Sequence, residues 1–325
     1  MILLLSYSGD ASIDYVISWL KTFNHSYIRI NADEILDSNL YLSLEEKRLI
    51  YKNTNIDVDS IRSVWYRKFG NFSKSNYFHV TKYIIASEDL NHLAHEHHTI
   101  LYAFMSLFKD IKWLTPPGLS GLNKLDTLLL AKKSGLDIPE SYIISRKGQL
   151  IDIQKASNKA YISKSVYEPH FIHRKDGIFS MFTKEIKNIE KIPDVFFPSL
   201  IQEKIDKEYE LRIFYIDGEF YTMAIFSQED KETELDFRKV DWENPNKRVP
   251  YKLPFYVEER LTDMLNLMKL NCCSIDIIKS SIDGKYYFLE INPTGEFGMT
   301  SIPCNYEIFK KIALTLIEMD KHENL

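Results

Sequence analysis

Between Cys273 and Asn292 two runs of β-branched and aromatic residues flank a short polar segment. Ser274-Ile275-Asp276-Ile277-Ile278 and Tyr286-Tyr287-Phe288-Leu289-Glu290-Ile291-Asn292 read as strands around Ser281-Ile282-Asp283-Gly284-Lys285. A three-residue loop, Ile282 to Gly284, with Gly284 left-handed, pairs Ser281 with Lys285. Counting outward then sets Asp276 opposite Glu290. Asn292, two residues on, shares their face, as do Phe288 and Ile278 in this register. Two carboxylates facing each other repel, and one tends to hold a proton. A hard divalent cation relieves that conflict, and Mg²⁺ takes few protein oxygens, the rest coming from water and phosphate. A solvated polar face is the plainer reading; Phe288 and Ile278 favour the metal.

A second hairpin runs from Leu211 to Phe226 and turns on Asp217-Gly218, a two-residue loop. Glu210 and Arg212 lie two apart and share one face. Arg212 is a permanent cation shaped for phosphate or carboxylate. Taken alone, the two read as a surface pair of small energetic weight.

Upstream, strand and helix patterns alternate over the first ~115 residues. Ile2–Leu5 is a continuous apolar run suited to a strand covered on both faces. Ile13, Val16, Ile17 and Leu20 recur at helical spacing, Tyr27–Ile30 and Ser63–Arg67 read as strands, and a long helix spans about Tyr83 to Phe108. Thr115-Pro116-Pro117-Gly118 breaks the pattern. A helix from about Leu125 to Gly135 and a strand at Tyr142–Ser145 follow. From Tyr161 the chain is strand-rich, and a last helix covers Glu307 to Met319. The fold class is α/β and α+β in three regions: an N-terminal α/β domain (1–115), a small middle domain (116–198) and a larger C-terminal domain (199–325). No apolar run reaches the ~18 residues of a membrane span. A net charge of −5 argues against a protein held on nucleic acid by phosphate neutralisation. Three cysteines cannot all pair, so no disulfide framework is expected. The expected compartment is the cytoplasm.

In order along the chain, these pieces resemble ATP-grasp ligases from about Leu122 to Asn292. Asn123-Lys124, Ala131, Gly135 and Ile138-Pro139 match that family's approach to its middle domain, and Ile162-Ser163-Lys164 its second nucleotide lysine. Leu200 to Ile205 resembles the adenine hinge, and Glu210 stands where the family places its ribose-contacting acid. The resemblance implies ATP and Mg²⁺ as cofactors. Lys124 and Lys164 then balance phosphate charge, and Gln202, Glu203, Lys204 and Ile205 meet the adenine edge. Asp276, Glu290 and Asn292 hold the metal, and Arg212 with Arg238 steadies the reacting groups. In this family a carboxylate becomes an acyl phosphate that an amine, hydroxyl or thiol attacks.

Trp65-Tyr66-Arg67-Lys68, the opening strand and Phe288 to Phe297 extend the resemblance to maturases of ribosomally made peptides, the graspetide or microviridin-type ligases of the grasp-with-spasm branch. This implies a precursor peptide as partner, with a docked leader and a core whose Asp or Glu side chains are joined to Thr or Ser hydroxyls or Lys amines. It also implies, often, a homodimer. The alternatives are a ligase of the same fold acting on free amino acids or a protein C-terminus, and a non-enzymatic nucleotide-binding regulator.

Other clusters weigh less. His92, His95, His97 and His98 read as a polar helix face rather than a zinc site, which needs four ligands in defined geometry. Trp65 reads as core, and Arg67 equally as a functional cation or a salt-bridge partner. Ser165 to Gly177 reads as a lid over phosphates. Lys184–Lys191 and Gln228–Glu234 read as solvated faces.

Overall fold

A computed structural model describes residues 1–35, 40–70, 72–157, 159–167, 171–174, 177–180, 183–227 and 246–321. The chain divides into two compact units, one of residues 1–121, 270–273 and 293–325, the other of residues 122–269 and 274–292. Residues 293–321, grouped with the C-terminal region in the sequence reading, therefore pack with the N-terminal domain.

In the first unit, four parallel strands lie in the order Tyr27–Asn31, Ile2–Ser6, Ser63–Tyr66 and Lys112–Leu114. Ile2 to Leu5 are fully buried, as their unbroken apolar run requires of a strand covered on both faces. Helix Ala11–Thr22 starts at Asp10, whose carboxylate accepts from the Ser12 amide, and buries Ile13, Val16 and Leu20. The closing helix Ile308–Lys321 packs against it and the strands. This explains the chain's return: its Ile308, Ile312 and Leu316 stripe is buried against a sheet that its own region does not supply. The expected long helix is found at Ser87–Ser106, preceded by a short helix Asn76–Thr81, and Leu101, Phe104 and Phe108 join Leu3, Leu5 and Val64 in one core. An antiparallel sheet of Tyr41–Ser43, Arg48–Tyr51 and Thr54–Ile56 escaped the periodicity reading because its strands are so short.

Among the described residues, the second unit holds two larger sheets and one two-stranded hairpin. One sheet orders Lys184–Glu185, Tyr161–Lys164, Val195–Glu203 and Ser141–Arg146, with Ile144, Leu150, Tyr161 and Ile201 at its core. The other orders Lys247–Tyr251, Glu219–Phe226, Lys207–Ile216, Cys272–Ser280 and Tyr286–Asn292. Helix Phe255–Met268 buries Val257, Leu261, Met264 and Leu265, and helix Lys124–Lys133 packs on strand Tyr286–Asn292. Asp217 and Gly218 close their hairpin with φ of 46° and 87°, the two positive values of a two-residue turn, and Ile216 pairs with Glu219 as expected.

Candidate active site

The acidic hairpin closes differently from its expected form and still brings the carboxylates together. Lys279 pairs with Tyr286, and the Ser280 amide donates to the Lys285 carbonyl, so four residues rather than three make the turn. Gly284 takes the left-handed conformation (φ 68°). Farther along, Ile277 opposes Phe288 and Asp276 opposes Glu290, with Leu289 the extra residue of a bulge. The two one-residue shifts cancel. One inference fails with them: opposite Ile277, Phe288 lies on the other face from Asp276 and is fully buried there. Leu289 takes its place beside Glu290.

Each carboxylate has a cation. Arg212, on neighbouring strand Lys207–Ile216, sets Nη1 2.6 and 2.7 Å from the two Asp276 oxygens. Lys124 sets Nζ 3.3 Å from Glu290 Oε2. Lys124 is the first residue of its helix because Asn123 caps it, accepting from the Leu125 and Asp126 amides. A cation at a helix N-terminus opposes the helix dipole; Glu290 compensates here, and the same place suits a phosphate. Asn292, opposite Ser274, is exposed on this face. Among the described residues no group of three His, Cys, Asp or Glu side chains could hold a metal. The candidate set is instead two carboxylates and one amide, hard oxygen donors that fit Mg²⁺ sharing its shell with phosphate. Arg212 Nε, buried and without a hydrogen-bond partner, fits an anionic neighbour at the same place.

The same strands line a cavity of about 210 Å³, through Ile278, two residues past Asp276, and Leu289, next to Glu290. Pro139, Ile162, Lys164, Gln202, Glu203, Lys204, Ile205 and Lys207 add to its wall, so the last four residues of the expected hinge, Gln202 to Ile205, meet Lys164 in one place, while Leu200 and Ile201 do not line it. Where the ladder ends, the Glu203 and Lys204 amides donate to the Glu140 and Ala160 carbonyls, at 2.8 Å each. Buried Gln202 donates to Ser141 Oγ at 2.8 Å. Lys159 bridges Glu140 (2.6 Å) and Glu203 (3.1 Å), and Lys204 pairs with Glu185 at 3.2 Å.

Glu210 meets the cavity differently from its expected role. Its buried carboxylate binds the ammonium of Lys207, and Lys207 is the wall residue. Burial raises the Glu210 pKa, and Lys207 opposes the rise. Sequence reading passed over Lys207; the signal was a lysine three residues before an acid at a strand's start. Arg238, Glu168, His170 and the 228–234 stretch lie outside the described residues. Of the expected lid, strands Phe171–Arg174 and Gly177–Ser180 form an antiparallel hairpin. Trp65 is buried, and Arg67 is paired with Asp10 at 2.7 Å. His97 is buried against Phe72, while His92, His95 and His98 are exposed, a polar face interrupted once.

Residues 1–116 match a family model described as the MvdD pre-ATP grasp domain. An ATP-grasp ligase associated with ribosomally made peptides, from Chryseobacterium gregarium and solved with ADP and a leader and core peptide, superposes with a TM-score of 0.83 at 23% identity. The match covers 98% of this chain and 96% of that one. Macrocyclase MdnC from Microcystis aeruginosa, solved with precursor peptide MdnA, gives 0.82 at 22% identity, covering 98% and 100%. The chain has the ATP-grasp fold. Ligase PsnB, solved with a minimal precursor, Mg and ADP, shares the ATP-grasp architecture at a TM-score of 0.76 and 17% identity, covering 98% and 97%. No curated protein sequence matches the chain. Among the described residues no helix is long and apolar enough to cross a membrane.

Proposed function

We propose that this chain is an ADP-forming ligase that uses ATP and Mg²⁺ to join Asp or Glu side chains of a ribosomally made precursor peptide to hydroxyls or amines of the same peptide. One observation carries the reading: Asp276 and Glu290 face each other with a cation apiece, on strands whose next residues line a cavity rich in lysine. Paired acids of this kind attract a divalent ion, and the lysines suit phosphates. The likeness in fold to ligases solved with precursor peptides supports the choice of substrate.

In this reading the apolar wall of Ile162, Ile205, Ile278 and Leu289 receives the purine, and Lys164 and Lys124 receive phosphate oxygens. Asp276, Glu290 and Asn292 would hold Mg²⁺, which screens phosphate charge when bound. Arg212 then faces the anionic oxygens of the carboxylate and the transferring phosphoryl group, as a fixed donor. A carboxylate oxygen bonds to the γ-phosphorus while the bond to ADP breaks. The peptide hydroxyl or amine next attacks the acyl carbon, its proton is lost and phosphate leaves. Each crosslink thus removes one water. The reaction belongs in the cytoplasm, where ATP meets newly made peptide.

The test is incubation with a candidate precursor peptide, ATP and Mg²⁺. The expected result is loss of one water mass per crosslink, matched by ADP. ADP formation with no change in peptide mass would refute the reading, and turnover of free glutamate without any leader would assign the chain to small-molecule ligation.

A further inference from the structure

Within the first unit, at the carboxyl ends of strands Ile2–Ser6 and Ser63–Tyr66, the chain seats one of its own carboxylates. Glu296 Oε2 lies 2.9 Å from Arg67 Nη2 and accepts from Ser12 Oγ at 3.3 Å, and Oε1 binds the Lys68 ammonium. The three donors come from the start of the first helix and the end of a central strand, and such strand ends in parallel sheets are where ligands gather. We propose that this is a carboxylate subsite, occupied by Glu296 as an internal stand-in for an acidic side chain of the substrate.

Two features distinguish the seat from a structural strut. The first is the unequal burial of its members. The Arg67 side chain is 3% exposed and its buried counter-ion is Asp10, at 2.7 Å, itself 4% exposed; Glu296 is 48% exposed and Lys68 32%. Arg67 Nη1 also reaches the Gly295 carbonyl at 3.2 Å, and the guanidinium lies 4.7 Å from the Phe297 ring centre. If Glu296 swings out, Arg67 keeps Asp10, the carbonyl and the ring, so no buried charge is stranded. The exposed Glu296–Lys68 contact is of the kind that costs little to open. The second feature is chemical. What Glu296 leaves is a fixed guanidinium edge, an ammonium and a hydroxyl already arranged around a carboxylate, a preformed site for that group. Glu296 follows Asn292 by four residues, so the stand-in sits on the loop leaving the candidate metal strand.

That the occupant is a peptide's acidic side chain rests on the proposed function; the seat's preference for carboxylate does not. The experiment measures direct binding of a labelled, leaderless peptide rich in Thr, Asp and Glu, beside its Asn/Gln counterpart and free glutamate, to the full chain. Removing the stand-in with Glu296→Ala should tighten the acidic peptide by about fivefold, the most an exposed pair's strength allows, and leave the amide peptide unchanged. Lys68→Met should weaken the acidic peptide alone. Tightening of free glutamate but not of the peptide would keep the seat and assign it to a small acid. Glu296→Ala with unchanged or weaker acidic binding, in a variant whose unfolding midpoint matches the parent, would overturn the inference. Failure of crosslinking with intact carboxylate-selective binding would instead fault the proposed function.

Discussion

Arg212 holds both oxygens of Asp276 through a single nitrogen, Nη1, at 2.6 and 2.7 Å, while its Nε is buried without a hydrogen-bond partner. An arginine serving only as a strut normally uses both arms of its fork on a carboxylate. Here Nε is left over, which suits the proposed role of Arg212 beside a reacting carboxylate.

Removing Arg212 should separate stability from chemistry. Arg212→Ala leaves Asp276 a half-buried charge without its cation, and unfolding should cost about 2 kcal/mol less, below the range for fully buried pairs. Adding Asp276→Asn to that variant should recover most of the loss in urea unfolding. Crosslinking measured by mass spectrometry should stay at least ~100-fold down in both variants, because neither restores the donor.

Glu290→Gln should behave the opposite way. Glu290 and Lys124 are each 27% exposed, so the pair carries under about 1 kcal/mol of stability. The amide keeps one oxygen on the face but not the charge. The Mg²⁺ concentration giving half-maximal ADP release should rise about tenfold or more, with the urea midpoint nearly unmoved.

Glu210 gives a pH signature. Burial raises its folded pKa above the ordinary 4.5, against the pull of Lys207. A folded carboxyl with a raised pKa binds more protons than its unfolded form, so stability falls as pH climbs from the ordinary value through the folded one and then levels. Glu210→Gln should flatten that descent. Urea unfolding of parent and variant at a series of pH values from about 4 upward checks it.

The thiols should be silent in the native state. Cys272, Cys273 and Cys304 are all buried, and burial pushes the Cys272 thiol up to about 12. Thiolate is the reactive form, so none of the three should label with a maleimide at pH near 8 until denaturant is added. Native labelling at Cys272 would show that the site opens locally.

Much of the second unit was legible because its signals are local. An Asp-Gly turn fixes the register of the hairpin at residues 211–226, and alternation puts Glu210 and Arg212 on one face, so both follow from counting. Asp276, by contrast, meets Glu290 because the turn and the bulge shift the register by one residue each and cancel. What counting missed depends on partners distant in sequence. Nothing near Ile308 says that its helix covers strands at residues 2 and 63, and nothing near Glu296 says that it reaches Arg67. Lys207 was invisible as a cavity residue for a related reason. A lysine reads as solvent-facing until a buried acid such as Glu210 is shown to hold it.

The acidic hairpin shows how a correct pairing can rest on an incorrect turn, and it yields a further prediction. The bulge places Leu289 and Glu290 together opposite Asp276, so that one lines the cavity while the other faces the acid. Deleting Leu289 should let the ladder run in a single register from Lys279 to Ser274, with Glu290 still opposite Asp276. What disappears is an apolar wall residue. Loss of a leucine contact with a purine is worth about 1.5 kcal/mol or more, roughly tenfold in affinity. The deletion should therefore weaken ADP binding by calorimetry about tenfold while leaving the Mg²⁺ dependence of the surviving turnover unchanged. Leu289→Ala should reproduce most of the weakening without touching the register. If the bulge itself aims Glu290 at the metal, the deletion will shift the Mg²⁺ requirement and the alanine variant will not, and the two measurements tell these roles apart.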